Sequence, residues 1–209
     1  MKLTIIGASG HGKVIADIAV KNGYDEIEFL DDADGITSCG TYPVVGSTND
    51  AAEVKNDIFV AIGNNEIRQK FLKLLFMNSA YVPTLIHPNA VIADDVVIGK
   101  GTVVMAGAVI NPNATIGNGC IINTASSVDH DCKIGDYVHV SVGSHVCGTV
   151  TVGNNTCLGA GSTVINNVNI CSDCVIGAGA VVIRSVLEKG TYFGVPAKCQ
   201  KQKFLKIMD

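Results

Sequence analysis

Every sixth residue from Ile86 to Val182 is isoleucine, leucine or valine, seventeen in an unbroken series. Two positions before most of them stands a small side chain, as at Thr102, Ala108, Ala114, Cys120, Ser126, Cys132, Ser144, Ser162, Cys174 and Ala180. The position after is often glycine (Gly99, Gly117, Gly135, Gly153, Gly159, Gly177) or asparagine (Asn111, Asn123). These residue types tolerate the unusual backbone angles of a turn. One large aliphatic, one small side chain and one turn per six residues describe one flat face of a three-sided β-helix. Three faces make a coil of ~18 residues, stacked ~4.8 Å above the previous one. The series predicts between five and six coils, uninterrupted by any long loop, over residues 84–193, with a C-terminal tail over 194–209.

Upstream the pattern changes. KLTIIG reads as a short buried strand, followed by Gly7, Gly10 and Gly12 and then a helix in which Val14, Ile15, Ile18 and Ala19 recur at helical spacing. Gly23 is its expected stop. EIEFLDD is a second strand ending in Asp31 and Asp32, DIFVAIG a third, and NEIRQKFLKLLF a second helix. Strand, glycine turn, helix and strand predict a small parallel α/β domain over residues 1–80, with ligands at the carboxyl ends of the strands. The glycines match neither established nucleotide fingerprint. Val14 stands where a triphosphatase loop needs Ser or Thr, and the order G-x-x-G-x-G is not that of the dinucleotide loop. What remains is a helix N-terminus whose amides can hold a diphosphate, or simply a tight turn with two solvated carboxylates.

Composition narrows the function classes. A net charge of −4 over 209 residues offers no basic stripe for nucleic acid. No apolar run approaches the ~18 residues of a membrane span, and MKLTIIGASG meets polar residues too soon for a secretory leader. Eight cysteines without such a leader are expected as reduced thiols in the cytoplasm. Cys171 and Cys174 spell C-x-x-C, but no second pair follows at zinc spacing, so no metal is expected there.

The stretch SVDHDCKIGDYVHVSVGSHVCG, residues 127–148, concentrates the chemistry-bearing side chains. His130 lies two residues after Val128, outside both inward slots, and Asp131 follows it. A histidine can take the proton of an attacking amine while a carboxylate fixes its tautomer, and a glycine-turn amide can meet a developing oxyanion. His130 and His139 are half a coil apart and therefore project from different faces, which favours a site between two protomers. Three other readings compete. A zinc site would have to use His139 and His145, which hold the same slot on adjacent faces. A cysteine acyl-enzyme would use Cys147. A non-catalytic ligand sensor or assembly scaffold would leave His130 and Asp131 unexplained.

GASGHGK, FLDD, AIGNNEIR, NTASSVDHDCKIGDYVHVSVG and FGVPAK together resemble the N-acetyltransferases that act on nucleotide-linked 4-amino-4,6-dideoxy sugars, of bacillosamine, perosamine and viosamine type. Sialic acid O-acetyltransferases share the outline and remain the alternative. The resemblance implies a left-handed β-helix, where the usual rule for parallel crossovers gives a right hand. It further implies a homotrimer, with acetyl-CoA between neighbouring helices and the sugar nucleotide on the first domain. By the same resemblance His130 is the general base and Asp131 its partner, while His139 and Gly148 lie on the acetyl-CoA side; Lys198 belongs to a lysine-rich tail that either approaches the adenine and phosphates of CoA or caps the last coil. Gly10, His11 and Asn123 are placed towards the sugar, and Asp31, Asp32, Gly63 and Asn64 towards the nucleotide.

Overall fold

The computed structural model describes residues 1–200. In the tail the lysines Lys201, Lys203 and Lys206, with Phe204, Leu205 and Met208 giving one apolar side, predict a closing turn and short helix; these positions lie outside the described residues.

The first unit is a five-stranded sheet: β1 (Lys2–Ile6), β2 (Glu26–Leu30), β3 (Ser38–Cys39), β4 (Tyr42–Gly46) and β5 (Asp57–Val60), in the order β3-β4-β2-β1-β5. All pairs are parallel except the β3–β4 hairpin. Helix α1 (Gly10–Lys21) follows β1, and α2 (Asn65–Met77) follows β5. The three glycines of the first turn serve different needs. Gly7 has φ +105°, and a Cβ on Gly12 would stand 2.2 Å from the Gly7 carbonyl, whereas nothing lies within 4 Å of a Cβ on Gly10. The buried stripe of α1 runs through Ile15, Ala16, Ile18 and Ala19. Val14, expected inside, is exposed, and Gly12 and Ala16 complete the buried stripe instead.

From Leu85 the chain forms seventeen two-residue strands, each ending on one of the periodic aliphatics. They stack into three parallel sheets, called faces I, II and III, and make a left-handed β-helix. Face I carries Ile121–Ile122, His139–Val140 and Cys157–Leu158; face II carries Ser127–Val128 and His145–Val146; face III carries Lys133–Ile134. The small residues lie fully inside: Cys120, Cys132, Cys174, Ala108, Ala114 and Ala180 are all 0% exposed. A hairpin of Thr191–Phe193 with Lys198–Cys199 caps face I.

The glycines after the aliphatics have a different cause from the one expected. Left-handed backbone falls three positions after the aliphatic, as at Gly101, Asn113, Gly119, Asp131 and Tyr137. Gly99, Gly117, Gly135, Gly153 and Gly159 are needed instead because the next coil is so close. A Cβ on any of them would meet that coil's atoms at 2.4–2.6 Å.

The α/β unit rests on the lower part of face I. Leu85, Val103, Met105 and Ile121 share one core with Leu3, Ile5, Ile15 and Phe29. Leu72 and Leu75 of α2 pack with Tyr137 at the corner between faces III and I. Asn22, just past α1, exchanges hydrogen bonds with the Ile86 backbone at 2.8 and 3.1 Å, tying the helix end to the first rung.

Candidate active site

Two clusters of functional side chains emerge, on opposite sides of the β-helix. The first sits at the corner between faces II and III. There His130 Nδ1 bonds Asp131 Oδ2 at 2.7 Å, with both side chains about half exposed. The shorter acid therefore reaches the ring. Asp129 Oδ1 accepts from Asn111 Nδ2 and from the His130 amide, both at 2.8 Å, which holds its carboxyl below the usual range. The bond to Asp131 lifts the His130 pKa above the ordinary histidine value, and the nearby Asp129 charge adds to it. One coil above, the ring lies over Gly148: a Cβ there would stand 2.5 Å from His130 Nε2. Gly148 is buried, and its N–H has no intramolecular partner among the described residues.

The second cluster lies on face I, where the α/β unit meets the helix. His139 Nε2 is 3.0 Å from Asn123 Nδ2, an amide donor, so that nitrogen accepts and the proton sits on Nδ1. Burial, followed by the nearby Arg68 and His11, pushes the His139 pKa down to about 4. His11, from the glycine turn, is likewise lowered to about 4 by burial and Arg68, and its Nε2 is a buried atom without a partner. His139, expected on the acetyl-CoA side, thus stands within its own chain beside His11 and Asn123. Nearby, a cavity of about 290 Å³ runs between the start of α2 (Gly63 to Glu66) and Asn155, Cys157 and Asp173 of the helix.

The remaining expected residues divide. Gly10 and Gly63 leave open space beside their backbones, as a closely approaching ligand requires. Asp31 accepts from the Ala8 and Ala33 amides at 2.6 and 2.8 Å, shaping the glycine turn. Asp32 accepts from the amide and hydroxyl of Thr48, which lowers its pKa. Asn64 caps α2 by accepting from the Ile67 amide at 3.0 Å. Lys198 lies in the capping hairpin, paired with Phe193.

His139 and His145 project from different faces, and His145 Nδ1 bonds Ser127 Oγ at 2.9 Å, so they form no common ligand set. His87 is buried at the entry to the helix, where its Nδ1 accepts from the Asn89 amide. Cys132 is fully buried with its thiol pushed up by burial, whereas Cys147, the thiol that a cysteine acyl-enzyme would use, is half-buried.

Sequence reading missed Arg68, the residue that joins the two units. Its signal was positional: with Leu72 and Leu75 it completes the buried stripe of α2.

Comparison with known proteins gives a consistent picture. Residues 2–75 match the PglD N-terminal domain, and residues 84–112 and 131–166 match the bacterial transferase hexapeptide (six repeats). A curated relative, UDP-N-acetylbacillosamine N-acetyltransferase of Bacillus subtilis (strain 168), is 37% identical over 110 residues, which is 50% of this chain and 51% of the relative. The match thus spans about half the length of that protein. The acetyltransferase domain of PglB from Neisseria gonorrhoeae FA1090 is 38% identical, with TM-score 0.91, covering 95% of this chain and 99% of that one. That domain is also known in complex with acetyl coenzyme A. A variant of perosamine N-acetyltransferase from Caulobacter crescentus, in complex with CoA and GDP-perosamine, is 36% identical, with TM-score 0.92 and coverage of 97% and 98%.

Proposed function

This chain belongs to the bacterial hexapeptide-repeat acetyltransferases that carry a PglD N-terminal domain, and on that premise we propose that it moves an acetyl group from acetyl-CoA to the 4-amino group of a nucleotide-linked 4-amino-4,6-dideoxy sugar. The observation that carries this reading is the exposed His130–Asp131 pair lying over the buried, unpartnered amide of Gly148. A base, its orienting acid and an oxyanion donor are the groups that direct aminolysis of a thioester needs. The sugar nitrogen attacks the thioester carbon and gives its proton to His130 Nε2. The Gly148 N–H donates to the carbonyl oxygen as it becomes negative. The C–S bond then breaks, and the departing CoA thiolate takes up the proton from His130.

The two clusters account for a homotrimer. The II–III corner is the vertex of the triangular coil opposite face I, so His130 cannot reach its own chain's His11, Asn123 and His139. A neighbouring protomer brings them together: one chain supplies His130, Asp131 and Gly148, and the next supplies the sugar-nucleotide pocket with Gly10, Gly63 and Asn64. On this reading His139 stands at the junction of sugar and thioester, and Lys198 in the capping hairpin faces the CoA phosphates. The test is purified protein with acetyl-CoA and a panel of UDP-, dTDP- and GDP-linked amino sugars, following free CoA thiol. Turnover only with hydroxyl acceptors such as sialic acid would replace the amine reading. Binding of sugar nucleotide with no thiol release would remove the enzyme reading.

A further inference from the structure

Arg68 closes the motif AIGNNEIR and is 1% exposed. All five of its guanidinium N–H groups have acceptors. Nε donates to Gly119 O at 2.7 Å, and Nη1 to Ile62 O and Gly63 O at 2.9 and 3.0 Å. Nη2 donates to Tyr137 O at 2.8 Å and to Asn65 Oδ1 at 2.9 Å. No acceptor is a carboxylate, so among the described residues this buried charge has no counter-ion. Burial lowers its pKa only to about 10, which leaves it charged at neutral pH.

Burying an unpaired charge is costly, and a leucine would continue the α2 stripe without that cost. The planar fork is what leucine cannot supply. Gly119 and Tyr137 occupy the same corner on successive coils, and Tyr137 lies two residues before His139. Ile62 and Gly63 form the turn after β5 that opens into the pocket. One rigid group therefore sets the position of that turn against the coil bearing His139. The ionisable groups around it are His11 and His139, both lowered, and the thiols of Cys120 and Cys157, both raised by burial and so neutral. Glu66 and Asp173 line the same pocket, so what the arginine supplies there is position rather than net charge.

We propose that Arg68 is a positioning residue for the acceptor site: its guanidinium locks the Ile62–Gly63 turn onto the two coil corners beside His139. The inference rests on the sugar-nucleotide reading given above. Arg68→Lys keeps the charge and loses the fork, while Arg68→Met loses both. Arg68→Lys should raise the sugar-nucleotide KM about tenfold, as expected when the binding-competent pocket is populated about a tenth of the time, with the acetyl-CoA KM unchanged. Arg68→Met should raise it further and move the histidine NMR titrations of His11 and His139 towards the ordinary value. Folded variants that keep the wild-type sugar-nucleotide KM would overturn the proposal. If neither variant folds, Gly119→Ala, which disturbs the carbonyl that Arg68 Nε holds, decides: a raised sugar-nucleotide KM with an unchanged acetyl-CoA KM supports the proposal, and a wild-type sugar-nucleotide KM overturns it. Binding of free UDP, dTDP or GDP by calorimetry separates the two readings. Nucleotide binding that depends on Arg68 in a protein that releases no CoA would sink the transferase reading alone. Active variants with unaltered nucleotide affinity would sink this inference alone.

Discussion

His130 Nδ1 lies 2.7 Å from Asp131 Oδ2, at a corner where Asp131 adopts φ +59°. That left-handed turn is one that aspartate tolerates better than most residues, and it folds the carboxylate back onto the preceding ring. Nδ1 is thereby engaged and Nε2 is left to accept a proton. His130→Ala should lower turnover by ~10² to 10⁴-fold while sugar-nucleotide affinity, measured by calorimetry, changes much less. The deficit should shrink as pH rises towards the pKa of the substrate amine, because the nucleophile then arrives deprotonated. Wild-type turnover at neutral pH would dismiss His130 as the base.

Asp131 has its own signature in the pH profile. The base works unprotonated, so kcat/KM should rise with pH through the His130 pKa, which the Asp131 bond holds above the ordinary value. Asp131→Asn removes that support, and the rising limb should move to lower pH. The plateau should fall as well, since the imidazolium loses the carboxylate that stabilises it. A limb that stays in place would show that another group is titrating.

Gly148 links this corner to the coil above. A methyl group there would meet His130 Nε2 at 2.5 Å and Cε1 at 2.6 Å, so Gly148→Ala should swing the ring off its perch. Misplacement by about an ångström is enough to cost ~10²-fold in rate, here with little change in thermal stability because the ring is exposed. Equal turnover in Gly148→Ala and wild type would separate the amide from the chemistry.

Much of this was legible in the chain because a β-helix writes itself as a period. Each aliphatic from Ile86 to Val182 ends a strand, and the small slots at Cys120, Cys132 and Cys174 are fully buried. The cause of the glycines was not legible, since period six marks where a coil bends without showing how close the next coil comes. Gly117 has to be glycine because of Gly135 and Asp136, eighteen and nineteen residues away. His130 and Asp131 could be read because sequence neighbours at a turn are spatial neighbours. The His11, Asn123, His139 and Arg68 cluster could not, because it forms only when the α/β unit docks on face I. Asp31, Asp32 and Asn64, read as ligand contacts, also carry a structural task that the sequence did not show: each accepts from an amide of its own chain.

Acid should destabilise the protein through the same buried histidines. His11 and His139 have folded pKa values of about 4, below the ordinary value of 6.5. Between those values the unfolded chain binds a proton that the folded chain refuses, so stability rises with pH across the window and is lost as pH falls from 6.5 towards 4. Each histidine should account for about 3 kcal/mol over that span. His139→Gln cannot titrate and should flatten part of the slope in urea unfolding followed from pH 7 to pH 4. A slope identical to wild type would show that His139 is not held neutral by its surroundings.

The contact between the two units can be tested at Gly119, whose carbonyl receives Arg68 Nε. Its φ is +63°, and an added Cβ would stand 2.4 Å from Leu72 Cδ1 and 2.8 Å from Tyr137 Cδ1. Gly179 has a similar φ of +66° with nothing within 4 Å of the added atom, so it isolates the backbone cost. Gly179→Ala should lose about 1 kcal/mol, the strain of a left-handed alanine. Gly119→Ala carries the same strain and also crowds the α2 seam, for a total of about 2–4 kcal/mol. Leu72 can turn part of the way aside, which keeps the loss from being larger, but the Tyr137 ring is held by the coil. Because Arg68 bonds this carbonyl, the variant should also weaken sugar-nucleotide binding, whereas Gly179→Ala should not. Equal stability losses in chemical denaturation, together with equal nucleotide affinities, would mean that the α2 seam tolerates a methyl group and that the Arg68 anchor does not depend on it.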